Sequence, residues 1–161
     1  MHLSARVIEN KRKESSMSTV SKVIEKKGSD VLSVSPDFLV LNAIEKMAER
    51  SAGTALVMDG DKLVGIFSER DFIRKVILQD KCGTGVKVSE IMSSDLSTVS
   101  PDVTIEECMN TMTQKRIRHL PVVEDGRVVG IISIGDLVKY LVEEKEFEIK
   151  NLQNYISGPG L

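Results

Sequence analysis

One stretch of this chain occurs twice, and the repeat constrains the fold more than any other feature of the sequence. Residues 34–77 align without a gap with residues 99–142, at an offset of 65, and eleven of the 44 aligned pairs are identical. Ordinary compositions would give roughly three identities by chance. We therefore expect two copies of one structural unit.

The clearest part of the repeat is an apolar run that ends in Ser-x-x-Asp. It spans residues 64–71 in the first copy and residues 129–136 in the second. The run has the composition of a strand, and a helical pattern follows it each time. A strand-to-helix junction of this kind places a hydroxyl, a carboxylate and free backbone amides at one point, which suits the ribose and phosphate of a nucleotide.

Both copies predict the same order of elements: a strand, an amphipathic helix, two strands joined by a tight turn, and a second helix. In the first copy these fall at residues 31–34, 40–48, 55–58, 63–67 and 69–78. In the second copy the two joined strands fall at 120–123 and 128–132, and the last helix begins at 135. The segments 20–23 and 88–91 resemble each other at an offset of 68, so each unit should begin with a short lead-in helix.

The fold class that this pattern predicts is α/β (α+β), with two repeats related by a pseudo-two-fold axis and flanked by terminal helices. We place a disordered tail at residues 1–16, the first repeat at 17–80, the second at 81–146 and a helical tail at 147–161. One unit of about 60 residues would bury little apolar surface by itself. Two units can pair their sheets across the axis, which would bring the two Ser-x-x-Asp junctions close to it.

Composition narrows the classes of partner. The net charge is −2 and the pI is about 5.8, so the chain as a whole has no positive electrostatic field that would attract nucleic acid or anionic lipid. Aromatic residues make up 4%, which argues against a surface on which bases stack. No apolar run approaches the roughly 18–20 residues of a membrane span. Cys82 and Cys108 cannot form a disulfide framework, so we expect a reducing, cytoplasmic compartment, with organellar targeting as the alternative.

With these motifs, the sequence resembles the paired cystathionine-β-synthase-type (CBS) domain family over residues 17–145. The marks are Gly-h-h-Ser-x-x-Asp (h, apolar) in both copies, Ser-Pro-Asp before each first helix, and Arg-His-Leu-Pro-Val-Val at residues 118–123. Small stand-alone CBS pairs of bacteria and organelles are the most similar kind. They carry Ser-Glu-Arg-Asp, Ser-Ile-Gly-Asp and a Tyr-Ile-x-Gly tail, found here at residues 68–71, 133–136 and 155–158.

The resemblance implies two β-α-β-β-α units in one module, and usually a homodimer of modules. It implies an adenine nucleotide (AMP, ADP or ATP), or NAD or S-adenosylmethionine, in the cleft between units, and regulation of a partner protein not yet identified. The sequence carries no nucleophile–base–acid set and no metal constellation, so we expect neither an enzyme nor an obligatory cofactor. Some members have no known ligand, and a dimeric interaction protein with vestigial pockets is the alternative.

The same resemblance assigns roles to the two junctions. Asp71 and Asp136 would accept hydrogen bonds from the ribose hydroxyls, and Ser68 and Ser133 would donate to ribose or phosphate. A plain helix N-cap explains the same residues, and both roles are compatible.

Charged and apolar residues around the junctions complete the predicted site. Arg70 would hold phosphate with a forked contact, whereas its counterpart is Gly135, so we predict unequal sites with the first the better phosphate binder. The second would be empty or would borrow Arg116 or Arg118, and the neighbouring His119 is a further candidate ligand-binding residue. The apolar walls would come from Val34, Ile66, Val99, Pro121 and Ile131. The alternative interpretations are a solvated Arg70, a half-buried, hydrogen-bonded His119, and walls that are simply core.

Overall fold

The computed structural model describes residues 18–81 and 84–158. The tail predicted at residues 1–16 and Cys82 lie outside these ranges. The elements are α1 (Val20–Lys27), β1 (Ser33–Val34), α2 (Val40–Glu49), β2 (Thr54–Asp59), β3 (Lys62–Ser68), α3 (Glu69–Phe72, continued by a π-helical segment Ile73–Ile77), α4 (Val88–Ile91), α5 (Ile105–Lys115), β4 (His119–Glu124), β5 (Arg127–Ser133) and α6 (Ile134–Ser157). The predicted mixture of helices and small sheets is confirmed.

The two repeats differ at their first strand. In the first repeat β1 pairs parallel to β2, which pairs antiparallel to β3, and the Leu56 amide N–H donates to the Leu32 carbonyl O at 2.9 Å. The residue equivalent to Leu56 is Pro121, which has no amide hydrogen to donate. Only a single parallel bridge between Val99 and Val122 remains there, so the second sheet consists of β4 and β5.

The first lead-in helix, α1, packs against the second repeat. Val20 and Val23 are buried in one cluster with side chains of α5, β4, β5 and α6. The Val20 amide donates to the Val103 carbonyl O at 2.9 Å, and the Ile105 amide donates to the Ser18 carbonyl O at 3.0 Å. The N-terminal segment therefore completes the core of the more distant repeat.

The second lead-in helix, α4, packs in the same way against the first repeat. Val88 and Ile91 are buried with side chains of β1, α2, β2 and β3. The Val88 amide donates to the Phe38 carbonyl O at 2.8 Å, and the Val40 amide donates to the Val86 carbonyl O at 2.9 Å. The lead-in segments thus cross between the repeats, which ties the two cores into one module.

Two equivalent glycines mark where the lead-in helices approach the sheets. A Cβ at Gly65 would lie 2.4 Å from the Met92 sulfur, and a Cβ at Gly130 would lie 2.6 Å from Cδ1 of Ile24. The glycines are 65 residues apart and their partners 68 apart, as the two sequence offsets require. The crossing therefore obeys the pseudo-two-fold symmetry.

The helix α6 is a single helix that includes residues 147–157 of the predicted C-terminal tail. Its first half contacts the N-terminal segment, where the Ser18 hydroxyl donates to Glu144 Oε1 at 2.9 Å and Lys26 Nζ lies 3.5 Å from Glu143 Oε2. From Lys145 to its end the helix is exposed. Within the described ranges, no helix has both the length and the apolar character needed to cross a bilayer.

Candidate functional site

The first Ser-x-x-Asp junction is a reciprocal helix cap. The Asp71 amide N–H donates to Ser68 Oγ at 3.2 Å, while Asp71 Oδ2 accepts from the Ser68 amide at 3.0 Å and from the Ser68 hydroxyl at 2.9 Å. The extended backbone of Ser68 ends β3 and lets its side chain reach the first turn of α3. The predicted capping role is confirmed here, and the hydroxyl and carboxylate are held side by side.

The second junction repeats this geometry at the start of α6. The Asp136 amide donates to Ser133 Oγ at 3.1 Å, and Asp136 Oδ2 accepts from the Ser133 amide at 2.8 Å. We call the pair Ser68 and Asp71 the first corner and the pair Ser133 and Asp136 the second corner.

Thr54 and His119 lie on the pseudo-two-fold axis between the corners. They are equivalent residues, 65 apart in sequence, and Thr54 Oγ1 lies 3.0 Å from His119 Nδ1. Residues related by a two-fold axis can touch each other only at that axis. Ser68 is the ladder partner of Thr54 and Ser133 is that of His119, so the corners lie one strand away on either side. The expectation that the corners meet near the axis fits this register.

Each corner binds its own lysine, and the sequence analysis singled out neither of them. Lys75 Nζ lies 3.2 Å from Asp71 Oδ1 and donates to the Ile91 carbonyl O at 2.8 Å. Its signal in the sequence is the i, i+4 spacing from Asp71 on one helix.

The second corner receives its lysine from the other end of the module. Lys27, the last residue of α1, donates to Asp136 Oδ2 and, at 2.6 Å, to the Ile131 carbonyl O. Nothing in the local sequence pairs Lys27 with Asp136, 109 residues away, because the contact depends on the crossing of the lead-in helix.

The charges around the axis shift two pKa values. Burial raises the pKa of Asp136, but the hydrogen bond and charge of Lys27 and the hydrogen bonds of Ser133 outweigh it, so the pKa lies below its ordinary value. Burial lowers the pKa of His119, and the charges of Lys27 and Arg118 lower it further against the opposing charge of Asp136. The second corner therefore carries an ionised carboxylate beside a histidine that favours its neutral form.

The other predicted site residues differ in their placement. Arg70 and Arg118 are exposed, and within the described part of the chain neither forms an ion pair with a corner carboxylate. The predicted walls are divided between the buried Val34 and Pro121 and the half-buried Ile66, Val99 and Ile131. Cys108 is fully buried, and burial together with the Glu107 charge raises the pKa of its thiol to about 11.

Two surface hollows lie away from both corners. The larger, about 540 Å³, lies between the turns of the two β-hairpins, with Leu63, Leu96 and Val128 among its lining residues. The smaller, about 210 Å³, lies beside β1 and the end of α2. Neither is lined by a corner serine or aspartate, so the corners are polar junctions whose groups already bind one another and a lysine.

Comparisons with known proteins match most of this architecture. A family model described as CBS domain matches residues 20–78 and 88–143. The mitochondrial CBS domain-containing protein CBSX3 of Arabidopsis thaliana is 36% identical over 149 residues, which are 87% of this chain and 72% of that protein. A crystal structure of a CBS domain, NE2398, is 46% identical with a TM-score of 0.74, covering 77% of this chain and 97% of that one.

A more distant structure shares the fold. The CBS domain pair of protein MJ0100, solved in complex with 5′-methylthioadenosine and S-adenosyl-L-methionine, has a TM-score of 0.70 and 23% identity. The match covers 80% of this chain and 98% of that one, and at this identity the likeness concerns the fold.

Proposed function

The chain belongs to the CBS-domain family as a pair of CBS repeats, and from this premise we propose that it is a regulatory module that binds an adenine nucleotide between its repeats. AMP, ADP or ATP is the proposed ligand, with NAD and S-adenosylmethionine as further adenosyl candidates. The module acts on a partner protein rather than catalysing a reaction. We propose a cytoplasmic location for the protein, with an organelle as the alternative because the plant relative is a mitochondrial protein.

One observation carries this proposal: the two corners lie on either side of one axis. Thr54 touches His119, and each is paired with the serine of its own corner. Each corner combines a carboxylate, which can accept from a ribose diol, with a hydroxyl and a lysine that can bind phosphate. This set of donors and acceptors fits an adenosyl ribose and its 5′-substituent.

Ligand binding would have to exchange bonds that the corners already make. Asp71 and Asp136 each bind a lysine, so the ribose hydroxyls compete with an ammonium group for carboxylate lone pairs. The lysines also bind carbonyl groups across the contact between a lead-in helix and the opposite repeat. Occupancy of a corner would therefore change the attachment of a lead-in helix, which is a change that a partner protein could read.

Thermal unfolding of the full chain with AMP, ADP, ATP, NAD and S-adenosylmethionine tests the proposal. A ligand at about 100 times its dissociation constant should stabilise the fold by roughly 2.7 kcal/mol. A double Asp71→Asn, Asp136→Asn variant keeps oxygen acceptors for the caps but loses both charges, so its stabilisation by ligand should disappear. If none of the five compounds at millimolar concentration raises the unfolding temperature of the wild type, the proposal fails.

A dimeric interaction protein is the second candidate, and the exposed half of α6 favours it. Phe147, Ile149, Leu152, Tyr155 and Ile156 are more than half exposed there. An exposed apolar surface of this kind commonly marks a protein interface. In this alternative the lysine–aspartate ion pairs of the corners are permanent parts of the structure. None of the five adenosyl compounds would then change the unfolding temperature.

A further inference from the structure

The second corner lacks the arginine of the first, yet a cation from a different element lies in it. Gly135 stands where the first corner has Arg70, and this difference predicted a weaker phosphate site. In the structure the Lys27 ammonium lies against Asp136 and the Ile131 carbonyl oxygen. About a quarter of each side chain in this ion pair is exposed, so both are partly shielded from water.

This lysine is a departure from the pseudo-symmetry. The offset of 68 between lead-in segments places Asp95 at the position equivalent to Lys27. The carbonyl of Ile66, equivalent to that of Ile131, accepts the Ser93 amide N–H at 2.9 Å in the first repeat. A flexible ammonium has thus replaced a fixed backbone donor at the second corner, and an ammonium can turn to a new partner whereas a strand amide cannot.

We propose that Lys27 is the phosphate-binding residue of the second corner and gives that corner its preference for a phosphorylated adenosyl ligand over the uncharged nucleoside. The inference rests on the proposed function. When the ribose hydroxyls take lone pairs of the Asp136 carboxylate, the Lys27 ammonium has to share that carboxylate with them. A 5′-phosphate on the same ribose offers a second negative partner within reach of a four-carbon side chain. Adenosine, which has no phosphate, would leave this ammonium only the shared carboxylate.

The test measures adenosine and AMP binding by calorimetry in full-length protein that carries Asp71→Asn, so that the second corner dominates. Adding Lys27→Met should weaken AMP binding by about 10-fold or more, because a charge-assisted hydrogen bond to phosphate is lost. Adenosine binding should not weaken, because adenosine has no phosphate for the ammonium, and it should strengthen to the extent that its ribose hydroxyls no longer compete with the ammonium for Asp136. Lys27→Arg should restore the preference for AMP.

Lys26→Met is the matched control. Lys26 is the neighbouring residue on α1, but its ammonium lies over the Tyr140 ring and near Glu143, away from the corner. This variant loses the same charge from the same helix, so both affinities should stay unchanged. A similar loss of AMP affinity in Lys26→Met would show a general charge effect and would overturn the assignment to Lys27.

Other outcomes separate this inference from the proposed function. If Lys27→Met strengthens the binding of both compounds, or weakens the binding of both equally, Lys27 blocks the site or has a structural role, and the inference is wrong. If the wild type binds AMP but the Asp71→Asn protein does not, the second corner is not a site, and again only the inference fails. If the wild type binds neither compound, the proposed function itself fails.

Discussion

At the scale of single residues, each corner serine is both a cap and a candidate ligand contact. Ser133 accepts the Asp136 amide N–H at 3.1 Å and begins a 24-residue helix. A hydroxyl has two lone pairs and one hydrogen, so accepting this bond leaves capacity for a ligand. The cap therefore fixes the position of the group that a ribose or phosphate would meet.

The capping role predicts a measurable loss of stability. Ser133→Ala removes the acceptor for the Asp136 amide and should lower the free energy of unfolding by about 1 kcal/mol, as measured by urea titration. Ser133→Asn keeps a side-chain oxygen at the N-cap and should lose much less. Equal losses in both variants would show that the cap hydrogen bond contributes little and that packing of the serine decides the effect.

His119 predicts a pH dependence of stability. Its pKa is lowered in the folded state, so the unfolded chain binds more protons and the free energy of unfolding rises with pH. The stabilising contribution is fully present above the unfolded value of about 6.5 and is lost as the pH falls through the lower folded value. Urea titrations of wild type and His119→Gln between about pH 4.5 and 7.5 isolate it as the difference between the two curves. A constant difference across this range would contradict the prediction.

At the scale of elements, the sequence predicts the hairpins and helix caps, which depend on neighbouring residues, but not the contacts that the lead-in helices make across the pseudo-two-fold axis. Alternating apolar runs and turn residues predicted both hairpins, and the Ser-x-x-Asp spacing predicted both caps. The eight-residue α1 and four-residue α4 contain no signal for which repeat they join, because their partners are distant in sequence. Lys75 was accessible from its spacing to Asp71, whereas Lys27 could not be assigned before the crossing was known.

The shortened first strand of the second repeat has a local cause that the sequence did contain. The sequence predicts Pro121 as an apolar wall of the site, but its missing amide hydrogen also removes the equivalent of the hydrogen bond that Leu56 donates in the first repeat. The remaining bridge joins Val99 to Val122. The backbone of Pro121 thus shortens the sheet of the second repeat.

We expect a methyl group to be tolerated differently at Gly65 and Gly130, the two glycines that the lead-in helices approach. A Cβ at Gly65 would meet Met92 Sδ at 2.4 Å, Cγ at 2.9 Å and Cβ at 3.3 Å, so rotation of the side-chain end cannot relieve it. A Cβ at Gly130 would meet Ile24 Cδ1 at 2.6 Å, and the next atom is 3.6 Å away. Gly65→Ala should therefore cost about 1–3 kcal/mol of unfolding free energy, and Gly130→Ala clearly less.

Urea titration of both variants measures this difference, and Gly53→Ala serves as the matched control. The nearest atom to a Cβ at Gly53 is Glu69 Oε2 at 3.9 Å, which is ordinary contact. Met92→Ala in the Gly65→Ala protein should recover part of the loss if the methyl–thioether clash causes it. A larger loss in Gly130→Ala than in Gly65→Ala would show that α1 is held more rigidly than α4.

At the scale of the whole molecule, the exposed apolar face of α6 predicts self-association. Val138, Val142, Ile149, Leu152 and Ile156 recur at spacings of three, four and seven, which places them on one face of the helix. Lys145 and Glu148 form an ion pair at 3.1 Å along the same stretch. β-Branched residues recur every seven positions at 142, 149 and 156, with Leu152 in the second interval and Lys145 in the first. Such a seven-residue spacing is typical of helices that pair with a second copy.

The double variant Ile149→Glu, Leu152→Glu tests this interface. Burying one such side chain against a partner contributes about 1.5–3 kcal/mol, and two buried carboxylates add a desolvation cost, so the variant should be monomeric. Light scattering over a range of concentrations should give the wild type twice the 17.8 kDa mass of one chain and the variant a single chain mass. Asn151→Glu adds a charge on the opposite side of the helix and should remain a dimer. A dimeric double variant would place the interface elsewhere, and a monomeric wild type would show that the exposed face does not bind a second copy.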